Sequence, residues 1–159
     1  MPICPAKFIP HEMKKTMIKI YSYDNKCMQG TIFNSFFDKE MVFENVMQMI
    51  LMIDRISDTM LYPQRAMQLR QFHDVKMPEN NFSFDFTTTA DYSDRFPIAT
   101  FELEILFRQN ASWQGTLTWV EKNKEESFRS ALEMLMLIDS SFEAQAAAVS
   151  GGNEESIAI

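Results

Sequence analysis

Residues Met17 to Asp54 and Glu102 to Asp139 align without a gap at a constant spacing of 85 positions, the separation of Met17 from Glu102. Eleven pairs are identical: Ile20/Ile105, Asn25/Asn110, Gln29/Gln114, Gly30/Gly115, Thr31/Thr116, Lys39/Lys124, Glu40/Glu125, Phe43/Phe128, Met49/Met134, Ile53/Ile138 and Asp54/Asp139. Others, such as Ile32/Leu117 and Met47/Leu132, exchange one apolar side chain for another. A repeat at fixed spacing implies two copies of one supersecondary unit, each with an apolar face that the other helps to bury. Two copies are too few for a solenoid, so the expectation is one pseudo-symmetric domain.

The local patterns predict what each copy contains. Thr16 to Tyr23 is β-branched and aromatic with alternating polarity, Asp24 to Lys26 reads as a turn, and Gly30 opens a second strand through Phe37. A helix is expected from Lys39 to Ser57, with Asp38 as its N-cap and Phe43, Val46, Met47, Ile50 and Ile53 at helical spacing. In the second copy Ala99 to Phe107 alternates cleanly and Thr116 to Glu121 is its hairpin partner. Asn123 with Glu126 reads as a capping box before a helix that ends near Phe142.

Between the copies, residues 57–80 form a connector with a short helix around Gln64 to Phe72, and Phe82, Phe84 and Phe86 alternate as a fifth strand. The resulting class is α+β, made of duplicated strand-strand-helix units: about five mainly antiparallel strands with two long helices on one face. Repeat one spans 17–54 and repeat two 102–139, within a domain of 15–143. Residues 1–14, with Pro2, Pro5 and Pro10, read as an irregular arm, and 144–159 as a flexible tail.

Each helix contains an unbroken apolar run, MILMI from Met49 to Ile53 and MLMLI from Met134 to Ile138. A helix with its back in water needs only one apolar stripe, so Met49, Leu51, Met52, Met134 and Met136 are candidate contacts with the other helix or with a second chain. A non-enzymatic, self-associating interaction module is therefore the leading expectation, with a homo-oligomer or another protein as partner. The 13 methionines fit either an adaptable surface or core filling.

Charge narrows the partners further. Fifteen basic against 22 acidic residues give a net charge of −7, a balance unlike that of a duplex nucleic-acid binder. No apolar run reaches the roughly 18 residues of a membrane span. Cys4 and Cys27 suggest neither a disulfide framework nor a zinc site, and the N-terminal stretch lacks the apolar core of a secretory signal, so a cytoplasmic protein with reduced thiols is expected. His11 and His73 stand alone, without the spacing of ligands or bases. No phosphate loop, dinucleotide fingerprint or nucleophile elbow is present, and neither a catalytic residue nor a cofactor is assigned. Asp54 and Asp139 could converge as a carboxylate pair or simply bond the local backbone near their helix ends.

The polar stretch Arg108 to Gly115 admits two readings. As a hairpin turn, its Asn and Gly tolerate positive φ and its Ser and Asn satisfy turn amides. As a ligand edge, Trp113 is a stacking surface with Arg108, Asn110 and Ser112 as polar handles, joined by Arg65 and Arg70 for a small anionic ligand or nucleotide. Asn110, Ser112 and Gly115 fit the Asn-x-Ser-x-x-Gly element and so resemble PilZ-type cyclic-di-GMP receptors, a likeness that implies a nucleotide sensor. Arg65 and Arg70 are one position farther apart than that family's upstream Arg-x-x-x-Arg pair, and a two-helix repeat differs from its β-barrel. The longer phrase FRQNASWQG…FRSALE, from Phe107 to Glu133, resembles a widespread group of small bacterial proteins. That resemblance implies a bacterial cytosolic protein and brings no activity or cofactor with it.

Overall fold

The computed structural model describes residues 10–73 and 90–151, apart from the side chains of 149–151. After a 3₁₀ turn at His11–Lys14 the first repeat forms β1 (Lys15–Asp24), β2 (Cys27–Asn34), β3 (Lys39–Phe43) and α1 (Val46–Met60). The second forms β4 (Ala99–Phe107), β5 (Gln114–Trp119), β6 (Lys124–Phe128) and α2 (Ala131–Gly151). One antiparallel sheet results, in the order β3-β2-β1-β4-β5-β6. The class is α+β as expected, but the unit is strand-strand-strand-helix and the strands number six among the described residues.

The extra strand explains the difference. Lys39–Phe43 and Lys124–Phe128 were expected to open the helices; instead they pair with β2 and β5 as edge strands. Asp38 and Asn123 are not caps but left-handed turn residues, both at φ 49. The caps lie farther on, where Asn45 Oδ1 accepts from Gln48 N at 2.9 Å and Ser130 Oγ from Glu133 N at 3.1 Å. In return Gln48 Oε1 accepts from Glu44 N, and Glu133 Oε1 from Arg129 N. In both helices the side chain of the third residue thus bonds back to the residue before the cap, a variant of the capping box at equivalent positions.

The halves meet along β1 and β4, where Met17 pairs with Glu102, its own repeat equivalent. The local two-fold axis therefore passes through that pair. Each half has a bulge at the same place, after Ile20 in β1 and after Ile105 in β4. Opposite stand Gly30 and Gly115, where a Cβ would lie 1.9 Å from the Lys19 carbonyl oxygen and 2.0 Å from that of Glu104. Only glycine permits this approach.

A single core forms between one sheet face and the helices, with Ile18, Ile20, Phe101 and Leu103 meeting Met49, Met52, Ile53, Met134 and Ile138. The opposite face carries ion pairs such as Lys15–Glu102 at 2.9 Å, as an antiparallel sheet with one solvated side allows. Helical spacing named Ile53 of this core, but it also named Met47, which is 66% exposed. Gln64 to Phe72 is not helical; its regular feature is a bridge from Arg65 to Arg108. The tail is ordered as helix as far as Gly151, because α2 continues past Phe142. The Phe82–Phe86 strand and residues 1–9 and 152–159 lie outside the described residues.

Candidate functional site

Each helix reaches across the dyad to the first hairpin of the other half, and two polar clusters mark where they arrive. Asp54 of α1 meets the β4–β5 hairpin. Its Oδ1 accepts from Trp113 Nε1 at 3.2 Å and Arg108 Nη1 at 3.3 Å, and its Oδ2 pairs with Arg65. Arg108 also donates to Asp58 Oδ1 at 2.6 Å and, through Nε, to the Pro63 carbonyl at 2.7 Å. Arg108 and Trp113 are only 3% and 4% exposed. The structure thus unites Arg65, Arg108 and Trp113 around carboxylates of the same chain, so the Arg108 guanidinium has its counter-ions already.

The other members of the expected ligand edge lie apart from this cluster. Asn110, at φ 54, forms the exposed turn, and Ser112 Oγ accepts from Ala131 N at the start of α2. Arg70 is exposed and has no hydrogen bond or ion pair among the described residues. His11 Nδ1 lies 3.7 Å from Glu104, and no group of His, Cys, Asp or Glu among the described residues could hold a metal ion.

Asp139 of α2 is the counterpart of Asp54 and meets the β1–β2 hairpin, so the two carboxylates do not form a pair. Asp139 Oδ1 accepts from the Tyr23 hydroxyl and from Lys26 Nζ at 2.7 Å. Those bonds, that of Lys26 foremost, hold the carboxyl below its usual range. Burial, then the bond to Asp139, pushes the Tyr23 phenol up to about 12. Asp139 Oδ2 has no hydrogen-bond donor among the described residues. Tyr23 also stacks on Phe142, with ring centres 4.2 Å apart.

Beside Asp139 is a cavity of about 250 Å³, lined by Tyr23, Lys26 and Met28 of the hairpin and by Leu135, Met136 and Ile138 of α2, with Val46 of α1. The repeat relation held a signal for it: Met28 aligns with Trp113 and Tyr23 with Arg108, so the two hairpins differ in bulk where they face the helices.

The helix backs separate the candidate interface residues. Met49, Met52 and Met134 belong to the core, whereas Leu51 and Met136 are 46% and 63% exposed. Two further residues, missed as contacts, join them: Met47 at 66% and Leu132 at 67%. All four are repeat equivalents, Met47 with Leu132 and Leu51 with Met136, and within each helix they stand four residues apart on one stripe.

No protein-family model, curated protein or solved structure matches the chain. No described helix is long and apolar enough to cross a membrane.

Proposed function

We propose that the protein is a non-enzymatic interaction module that associates with a second copy of itself through the outer faces of α1 and α2. The observation that carries this reading is the matched exposure of Met47 with Leu51 and of Leu132 with Met136. Solvent-facing helix positions are ordinarily polar, and here the same departure occurs twice at symmetric positions. A two-fold interface requires a patch that complements itself, and apolar stripes meet that requirement without charge matching. In a chain of net charge −7, like charges oppose approach, so apolar area must supply the attraction.

Light scattering over a concentration series tests the reading, with dimer expected to increase with concentration. Leu51→Glu combined with Met136→Glu should leave a monomer, with stability changed by only about 0.5 kcal/mol per site because neither side chain belongs to the core. A wild-type protein that stays monomeric to the highest soluble concentration refutes self-association. A double variant that keeps the wild-type dimer mass refutes these helix faces as the interface.

A further inference from the structure

The two halves place equivalent backbone around equivalent carboxylates, yet they fill the space beside them differently. In the second half the Trp113 indole is buried there, with its N–H donated to Asp54 at 3.2 Å. A buried indole needs such an acceptor, and the fold provides one. In the first half the equivalent hairpin position holds Met28, a slimmer side chain without a donor, and the cavity of about 250 Å³ lies beside it. Asp139 stands at its wall as Asp54 stands beside Trp113, with one oxygen engaged by Tyr23 and Lys26 and the other without a donor among the described residues.

From this internal comparison we infer that the cavity between α2 and the β1–β2 hairpin binds a small free aromatic molecule of the indole class, its ring against Met28, Leu135 and Ile138 and its N–H donated to Asp139. The second half supplies the precedent for the occupant, since its own chain places that group at the equivalent position. The volume suits a one- or two-ring molecule rather than a larger ligand. The apolar wall supplies affinity through burial, while the carboxylate selects for a donor. Lys26, bonded to the same carboxylate, keeps it ionised and therefore the stronger acceptor.

The experiment is a calorimetric titration of the full-length protein with indole, 1-methylindole and a short glycine-flanked tryptophan peptide. Indole is expected to bind saturably with a dissociation constant below about 1 mM. 1-Methylindole, which has no N–H, should bind at least about tenfold more weakly. Met28→Trp, which makes the first hairpin like the second, should fold and lose at least about tenfold in indole affinity.

A mutation-free readout protects the test against misfolded variants: in methionine-methyl NMR, indole should shift the Met28 and Met136 signals by ring current and leave Met52 unmoved. No saturable indole binding, equal binding of 1-methylindole, or binding that leaves the Met28 methyl unshifted each overturns the proposal. Binding of the peptide alone overturns the assignment to a free small molecule. The titration is repeated on Leu51→Glu, whose side chain does not line the cavity, so a failure of self-association and a failure of ligand binding are read separately.

Discussion

Arg108 shows how much a single side chain can depend on partners distant in sequence. Its guanidinium is buried, and Asp54, Asp58 and the Pro63 carbonyl answer it. Arg108→Met would leave Asp54 and Asp58 with a weakened counter-charge and is expected to cost about 3 kcal/mol in urea unfolding. Arg65→Met, at a site where about a fifth of the side chain is exposed, should cost about 1 kcal/mol. If the Arg108 loss is no larger than the Arg65 loss, burial is not what makes the Arg108 pair matter. Tyr23 offers a pH test in the other half. Its folded pKa of about 12 lies above the unfolded value near 10, so its contribution is complete below about pH 10 and is lost as pH rises towards 12. Tyr23→Phe should therefore flatten the fall of the urea midpoint across that window, and an unchanged slope rejects the assignment. Sequence had singled out Arg65, Arg108 and Trp113, but it offered them to a ligand. In the structure they contact Asp54 and Asp58, about 50 residues before Arg108, and no local spacing reveals a contact of that range.

At the scale of elements, nine of the eleven identical pairs now have a local role in both copies. Gly30 and Gly115 admit a carbonyl beside a bulge, and Asn25 and Asn110 take positive φ in the hairpin turns. Lys39, Glu40, Lys124 and Glu125 put charge on the edge strands β3 and β6, which discourages pairing with other chains. Ile20, Phe43, Met49, Ile53 and their counterparts are core, Gln114 ties its turn by bonding the Gln109 backbone, and Asp54 and Asp139 anchor the crossing helices. Thr31 donates to Glu40, whereas nothing in the structure gives Thr116 the same bond. Gly30→Ala and Gly115→Ala should each cost about 2 kcal/mol or more, read as a lowered denaturation midpoint, because the blocking atom is backbone and cannot turn aside. A neutral result at either site shows that the bulge can relax. The missed strands β3 and β6 have an equally local cause. Phe43, Val46, Met47 and Ile50 satisfy a helical period, and five residues of strand are too few to break it. What separates strand from helix there is the cap at Asn45 or Ser130, seven residues beyond the expected one.

For the whole molecule, the outward residues at the seam specify that the two halves join each other. Lys15 pairs with Glu104, Met17 with Glu102 and Lys19 with Thr100. In the same register two copies of β1 would set Lys15 against Lys19 twice, and two copies of β4 would set Glu102 against Glu102. Like charges directly opposite are destabilising. Fragments 1–80 and 81–159, mixed in equal amounts, are accordingly expected to form a one-to-one complex, with homodimers of either fragment weaker by at least about tenfold in sedimentation. Homodimers as strong as the mixed complex would show that seam charge does not direct the pairing.

The sequence by itself determined that there are two like units, which hairpins begin them and that the helices carry surplus apolar residues. Period, turn chemistry and the fixed spacing of the repeat are local properties, so they can be read along the chain. The tertiary structure alone decided that the units join through Met17 and Glu102, that each helix crosses to the other unit's hairpin, and that Leu51 and Met136 face outward while Met49, Met52 and Met134 face in. It also decided that Trp113 is buried against Asp54 in one half, whereas in the other a cavity lies beside Met28 and Asp139. These outcomes depend on which distant surfaces meet, and the free energy of that choice belongs to pairs of elements and to no single stretch of chain.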